Sequence, residues 1–167
     1  MKLQEIDKSR YRKHLNMIIA ALIVSLMVMA LSFGQILIML LGGDGDHFIF
    51  NLSGVLLAGG LCLWVLHRYR QHEFMTEVVY VWELKQGLNK IYRKLRKIEA
   101  AKEDGDVNAL VILNFYYAAS SQLFKLDDNT ITMDSLQLEV NKLQQLIEDK
   151  GLTIKIEDYS ASMLKAF

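Results

Sequence analysis

Proline is missing from all 167 residues, and cysteine occurs once, at Cys62. Without proline no helix interior loses a backbone donor or meets a ring clash, and the many Leu, Ile, Lys, Glu and Gln residues favour long helices over sheet. One cysteine excludes an intrachain disulfide framework and a multi-cysteine zinc site. Charge is missing from Leu15 to Leu41 and again from Phe48 to Leu66. Net charge is also zero, with 19 Lys and Arg against 19 Asp and Glu. Global charge therefore points to no polyanionic partner, although the charges are strongly segregated along the chain.

The two uncharged runs are what the chain is organised around. A bilayer core of about 30 Å needs about 20 helical residues, so each run is long enough to span it. The first, interrupted only by Asn16, Ser25, Ser32 and Gln35, has length to spare for tilt. It is too long for a signal-peptide core and a second run follows closely, so it reads as an uncleaved span. Between them Gly42 to His47 holds three glycines and two acids, a turn that neither helix can propagate through. Asp44-Gly45-Asp46 resembles the start of a calcium loop but lacks the further oxygen ligands and the closing glutamate, so a solvated hairpin turn is the better account. Small residues recur at Gly54, Ala58 and Cys62 on the second run, with Ala21, Ser25 and Ser32 as a partly comparable row on the first. In lipid such rows let backbones approach, between the two spans or across a homodimer. Cys62 fits there as a small packing residue; thiolate chemistry needs an electropositive, accessible setting.

Orientation follows from the flanks. Five basic residues, among them Arg10, Arg12 and Lys13, precede the first run, and Arg68 and Arg70 follow the second, while the turn has none. The positive-inside rule puts both termini in the cytoplasm and the acidic turn outside, with those five named cations as candidate lipid-headgroup contacts. The expected organisation is a basic segment at 1–14, transmembrane helix 1 at 15–41, a turn at 42–47, transmembrane helix 2 at 48–67 and a cytoplasmic helical domain at 68–167.

Beyond the second run the period changes. Val81, Leu84, Leu88, Ile91, Leu95 and Ile98 are spaced 3, 4, 3, 4, 3, an a/d heptad seam. With no breaker before it, the second span reads as continuing through this seam to Ala101, a rod of about 80 Å, with a bend at His72 to Thr76 as the alternative. Lys90, Arg93, Arg96 and Lys97 crowd the opposite side. A solvated face explains them best, ahead of lipid contact; nucleic acid is disfavoured because the residues from Glu73 onward include more acids than bases. Glu103-Asp104-Gly105-Asp106 ends that helix and caps the next, Val107 to Phe124, apolar enough to resemble a third span but interrupted by Asn114 and closed by Ser120, Ser121 and Gln122, which favours a core helix. A further seam runs Leu136, Val140, Leu143, Ile147, and Gly151 stops that helix. Leu152 to Ile156 alternates like a strand without a partner, and Ser160 to Phe167 reads as a short helix. The fold class is thus an all-α membrane protein: a two-helix transmembrane hairpin leading into an antiparallel three-helix, coiled-coil-like domain. Its seams serve internal packing or, alternatively, dimerisation.

Chemistry has no visible seat. There is no glycine-rich phosphate loop and no His-Glu metal helix. His67 and His72, five apart, do not share a helix face. Nothing sets a nucleophile, base and oxyanion donor together. No catalytic residue, cofactor, metal or small-molecule substrate is expected.

The stretch Ile6 to Asn16 (Ile-Asp-Lys-Ser-Arg-Tyr-Arg-Lys-His-Leu-Asn), the two spans, and Phe74 to Arg96 with its Glu83-Leu84-Lys85-Gln86 core resemble a family of small two-span inner-membrane proteins of Gram-negative bacteria, a domain of unknown function. The resemblance implies a bacterial inner membrane and carries over no catalytic residue. The leading expectation is a non-catalytic anchor, scaffold or accessory subunit whose partners are the bilayer and another protein or its own copies. A membrane-state sensor signalling through a continuous second span is the alternative, and a membrane-face enzyme is the least favoured.

Overall fold

The computed structural model describes residues 2–42, 45–129 and 131–167. Gly43 and Asp44 of the expected turn, and Thr130, lie outside them. All regular structure among the described residues is helical: α1 (Lys8–Leu41), α2 (Phe48–Arg68), α3 (Thr76–Tyr92), α4 (Leu95–Glu103), α5 (Val107–Asp127) and α6 (Met133–Asp149), with short 3-10 helices at Glu73–Met75, Ile156–Asp158 and Ala161–Ala166. The chain divides into two compact units, Ser9–Val79 and, with the residues before Ser9, Tyr80–Phe167.

In the first unit α1 and α2 are both long and apolar enough to cross a membrane. Asp46 begins α2: its carboxylate accepts the Phe48 N–H at 2.9 Å, satisfying a donor that the first helical turn leaves open. This gives the second acid of the Asp-Gly-Asp run a capping role. The large side chains of these helices point outward. Leu56, Leu63 and Trp64 are all more than 60% exposed, and α2 buries only Gly54, Ala58 and Cys62.

The rod expected from Phe48 to Ala101 does not form. α2 ends at Arg68, and the chain turns through Tyr69–His72 before α3 starts at Thr76. Tight bonds carry the turn, His72 N–H to Tyr69 O at 2.9 Å and Met75 N–H to His72 O at 2.8 Å, while His72 Nδ1 accepts the Phe74 N–H at 3.2 Å. His72 is the local signal, a side-chain cap where no proline or glycine marks a stop. The cause is tertiary: the turn lets Phe74 stack on His14 and brings Glu77 to Arg10.

A second break, at Arg93–Lys94, divides the heptad seam between α3 and α4. A straight helix drifts by about 20° per heptad from a 3.5-residue repeat, so a long seam needs supercoiling or a bend to stay buried. Here it bends. Lys94 N–H bonds Ile91 O at 2.9 Å, and Ile98 returns to full burial in the core. The Lys94 and Lys97 ammonium groups donate at 2.7 Å to the carbonyls of Leu164 and Phe167, fastening the tail that follows α6. Lys94 and Lys97 thus serve structure within the unit.

The second unit is built around α5, which packs on α4, on α6 and on the 3-10 helix at Ile156–Asp158. Within the stretch Glu103 to Asp106 it is Asp106 that caps this helix, accepting from Asn108 N–H at 2.7 Å. Leu110, Ile112, Leu113 and Phe115 are fully buried, so Val107–Asp127 is a core helix. Asp127 and Asp128 end it, with Asp128 in the left-handed region. Gly151 closes α6 at φ +64°, and Leu152 N–H reaches back to Ile147 O at 3.0 Å, the six-residue closure typical of a glycine stop. The alternation over Leu152–Ile156 pairs with no strand among the described residues. It enters the 3-10 helix, whose N-cap residue Lys155 donates its backbone N–H to the Asp158 carboxylate. The segment before α1 lies against this unit. Gln4 N–H donates to Tyr80 Oη at 2.9 Å, Tyr80 donates to Gln122 Oε1 at 3.0 Å, and Gln122 Nε2 donates back to Gln4 O. Lys8 adds an ion pair with Asp128.

Candidate functional site

Within the first unit the tightest contact is backbone on backbone. A Cβ on Gly54 would stand 2.5 Å from Gly34 N and 2.8 Å from Ala30 O, distances no side chain tolerates. The expected row Gly54, Ala58, Cys62 is the buried face of α2. Its partner on α1 is Ala30 and Gly34, not Ala21, Ser25 and Ser32, which are exposed. The signal for Gly34 was its own cost: glycine inside a helix gives up about 1 kcal/mol relative to alanine, which a close approach explains. Ala21 and Ser25 instead border, with Cys62, an apolar groove of about 610 Å³ that runs between α1 and α2 to Tyr69 and Met75. The helices therefore meet at Gly34 and Gly54 and separate toward the Tyr69 end.

At that end Glu77, only 8% exposed, faces two side chains of α1. Arg10 Nε lies 2.8 Å from Glu77 Oε1, and His14 Nδ1 lies 3.4 Å from Oε2. The His14 ring stacks on Phe74 at 4.1 Å between centroids, and Tyr11 is buried beside the cluster in sequence. A carboxylate this far from water needs such a cation. Of the candidate headgroup contacts, Arg10 is thus engaged with Glu77, Arg12 and Arg70 also have protein partners, and Lys13 and Arg68 are exposed.

In the second unit the seam is consumed by the fold. Val81, Leu84, Leu88, Ile91 and Ile98 are at most 7% exposed, and Leu95 is half-buried. What α3 leaves open is its other side. Trp82, 52% exposed, borders a cleft of about 370 Å³ together with Glu83, Lys90, Phe115 and Tyr159. Phe115 and Tyr159 stack at 4.1 Å and form its aromatic floor. Burial raises the Tyr159 phenol above its ordinary value. Burial likewise pushes Tyr117 up to about 12, with Glu139 and Glu99 adding to the effect, and raises Tyr116. No group of three or more His, Cys, Asp or Glu that could hold a metal occurs among the described residues. Sequence periodicity finds the buried seam readily; it does not find Trp82, since exposure of one aromatic beside a seam has no periodic mark.

Over residues 1–164 the chain matches a family described as a protein of unknown function (DUF3087), and it belongs to that family. The resemblance carried by Ile6 to Asn16 and Phe74 to Arg96 is to this extent a membership, and it names no chemistry. No curated protein and no solved structure matches the chain.

Proposed function

We propose that the protein is a non-catalytic inner-membrane anchor, both termini in the cytoplasm, that presents its helical unit to a protein partner. One observation carries the partner reading: the heptad seam is buried, while Trp82 stands half-exposed over a cleft floored by Phe115 and Tyr159. Exposed tryptophans over pockets are the residues on which interface energy concentrates. Glu83 and Lys90 give the rim both signs of charge, suited to an apolar side chain carried on a polar segment. The membrane reading is supported by the outward-facing apolar side chains of α1 and α2. The cations at Lys13 and Arg68 and the uncharged runs between them support the orientation.

The test is a photo-crosslinking residue at Gln86, on the rim of the cleft, in cells expressing the full chain. Purification in mild detergent and mass identification follow, beside a Trp82→Ala version. A recurrent heterologous adduct lost in Trp82→Ala supports the anchor. Self-adducts alone would replace it with a homo-oligomer, and adducts indifferent to Trp82 would overturn the cleft as the docking surface. The sensor alternative no longer has a continuous helix to act through, since α2 stops at Arg68. It would have to work through the Arg10–Glu77 contact.

A further inference from the structure

The second unit carries an open groove lined by polar as well as apolar side chains. About 510 Å³ is left open between α5, α6 and the segment before α1. That is the size of a small-molecule site. Where two amphipathic helices close on each other, apolar side chains ordinarily fill the space. Here polar side chains from both helices share the lining with apolar ones. Asn114, Ser121, Gln122 and Lys125 repeat at helical spacing along one face of α5, a polar stripe on a helix that is otherwise core. Gln137 and Gln144 face the same space from α6. Ala118, Val140 and the buried Leu143 supply an apolar floor between the stripes.

The chemistry of the lining defines what fits. Carboxamides both donate and accept hydrogen bonds and carry no charge; Gln122 is engaged with Tyr80 and Gln4 and Gln137 with Asn141, which leaves Asn114 and Gln144 to suit a ligand with peptide-like polarity. Two opposite charges border the same cavity, the Lys125 ammonium and the Glu5 carboxylate, and neither has an ion-pair partner among the described residues. A ligand bearing one carboxylate and one ammonium would answer both. We propose that this cavity binds a small zwitterion of the amino-acid class, a free amino acid or a dipeptide, with its carboxylate toward Lys125 and its ammonium toward Glu5. The segment that supplies Glu5 is fastened at Gln4 to Gln122, which also lines the cavity. Occupancy therefore steadies the residues that lead into α1. This binding is independent of the Trp82 cleft and stands or falls without it.

The test is calorimetric titration of the full chain in detergent with L-glutamine and with dialanine, beside acetate and methylamine as single-charge probes. Saturable binding of one or both zwitterions is expected, at least about tenfold tighter than either single-charge probe. Saturation by L-glutamine alone or by dialanine alone identifies which member of the class is taken. Lys125→Met and Glu5→Gln should each weaken it by about tenfold or more, while the unfolding midpoint without ligand stays put because both side chains are exposed. Hydrogen exchange at the Gln4 amide should slow when the zwitterion is present. No saturation by either zwitterion at about 10 mM would overturn the proposal. So would binding that survives both substitutions, or acetate binding as tightly as L-glutamine.

Discussion

α2 and α5 are both 21-residue helices rich in apolar side chains, and they use them in opposite ways. α5 buries Leu110, Ile112, Leu113 and Phe115 completely. α2 buries Gly54, Ala58 and Cys62 and turns Leu56, Leu63 and Trp64 outward. In water, removing large apolar side chains from solvent yields about 25 cal/mol per Å², so a helix there hides its largest residues. In hydrocarbon that gain vanishes, because a lipid tail is as good a neighbour as a leucine, and what remains is close packing. Small residues then belong at the contact and large ones outside it. On the membrane reading proposed above, this contrast is what two helices in different solvents would show.

The contrast can be broken most sharply by truncation. Phe115→Ala should cost about 3–5 kcal/mol of the helical unit's stability, since the ring is fully buried and stacked on Tyr159. Leu56→Ala, which removes a side chain 67% exposed, should cost less than about 0.5 kcal/mol. Thermal or denaturant unfolding in detergent, followed by circular dichroism, checks both. A comparable loss at Leu56 would mean that α2 buries that face against something in solution, and the two-solvent reading would fail.

A smaller effect sharpens it from the other side. Gly54→Ala places a methyl group 2.5 Å from Gly34 N, and backbone cannot swing aside as a side chain can, so the helices must part at a cost of about 1–3 kcal/mol. Gly60, on the same helix, has nothing within 4 Å of its Cβ position. Gly60→Ala should therefore stabilise by up to about 1 kcal/mol through helix propensity alone. Opposite signs from one substitution type on one helix, read as thermal midpoints of the full chain in detergent, would locate the contact. Equal effects would remove it.

Legibility differed between the regions for the same reason. The core of the helical unit was plain in the sequence: the spacing of Val81, Leu84, Leu88, Ile91 and Ile98, the Asp106 cap and the Gly151 stop each have a local chemical mark. In the apolar pair every position is greasy, so periodicity says little, and only small residues stand out. That was enough for Gly54, Ala58 and Cys62, but it chose Ala21, Ser25 and Ser32 over Ala30 and Gly34, because a row of small residues does not reveal where along it two helices cross. The break after Arg68 left only His72 as a local mark. What decides it is Phe74 meeting His14 and Glu77 meeting Arg10, contacts between positions far apart in sequence. The open cavity beside Lys125 was not legible either: Asn114, Ser121 and Gln122 mark a polar stripe, and the space facing it depends on how α6 lies.

The smallest effect probes how dry the helical unit is. Burial favours the neutral form of the Tyr117 phenol and lifts its pKa from 10.0 to about 12, with Tyr116 and Tyr159 also raised. In the unfolded chain these phenols ionise near the ordinary value. A group whose folded pKa is raised contributes stability that is intact below pH 10 and is lost as the pH climbs through the folded value, because only the unfolded state gains by releasing the proton in between. Phenolate absorbance should accordingly show a late step from the Tyr117 phenol, coincident with loss of helical signal. Tyr117→Phe should remove part of the late step and flatten the fall in stability between about pH 10 and 12. If the Tyr117 phenol ionised near its ordinary value before any unfolding, water would reach α5 freely, and the sharp division between a dry helical core and an apolar pair without one would have to be given up.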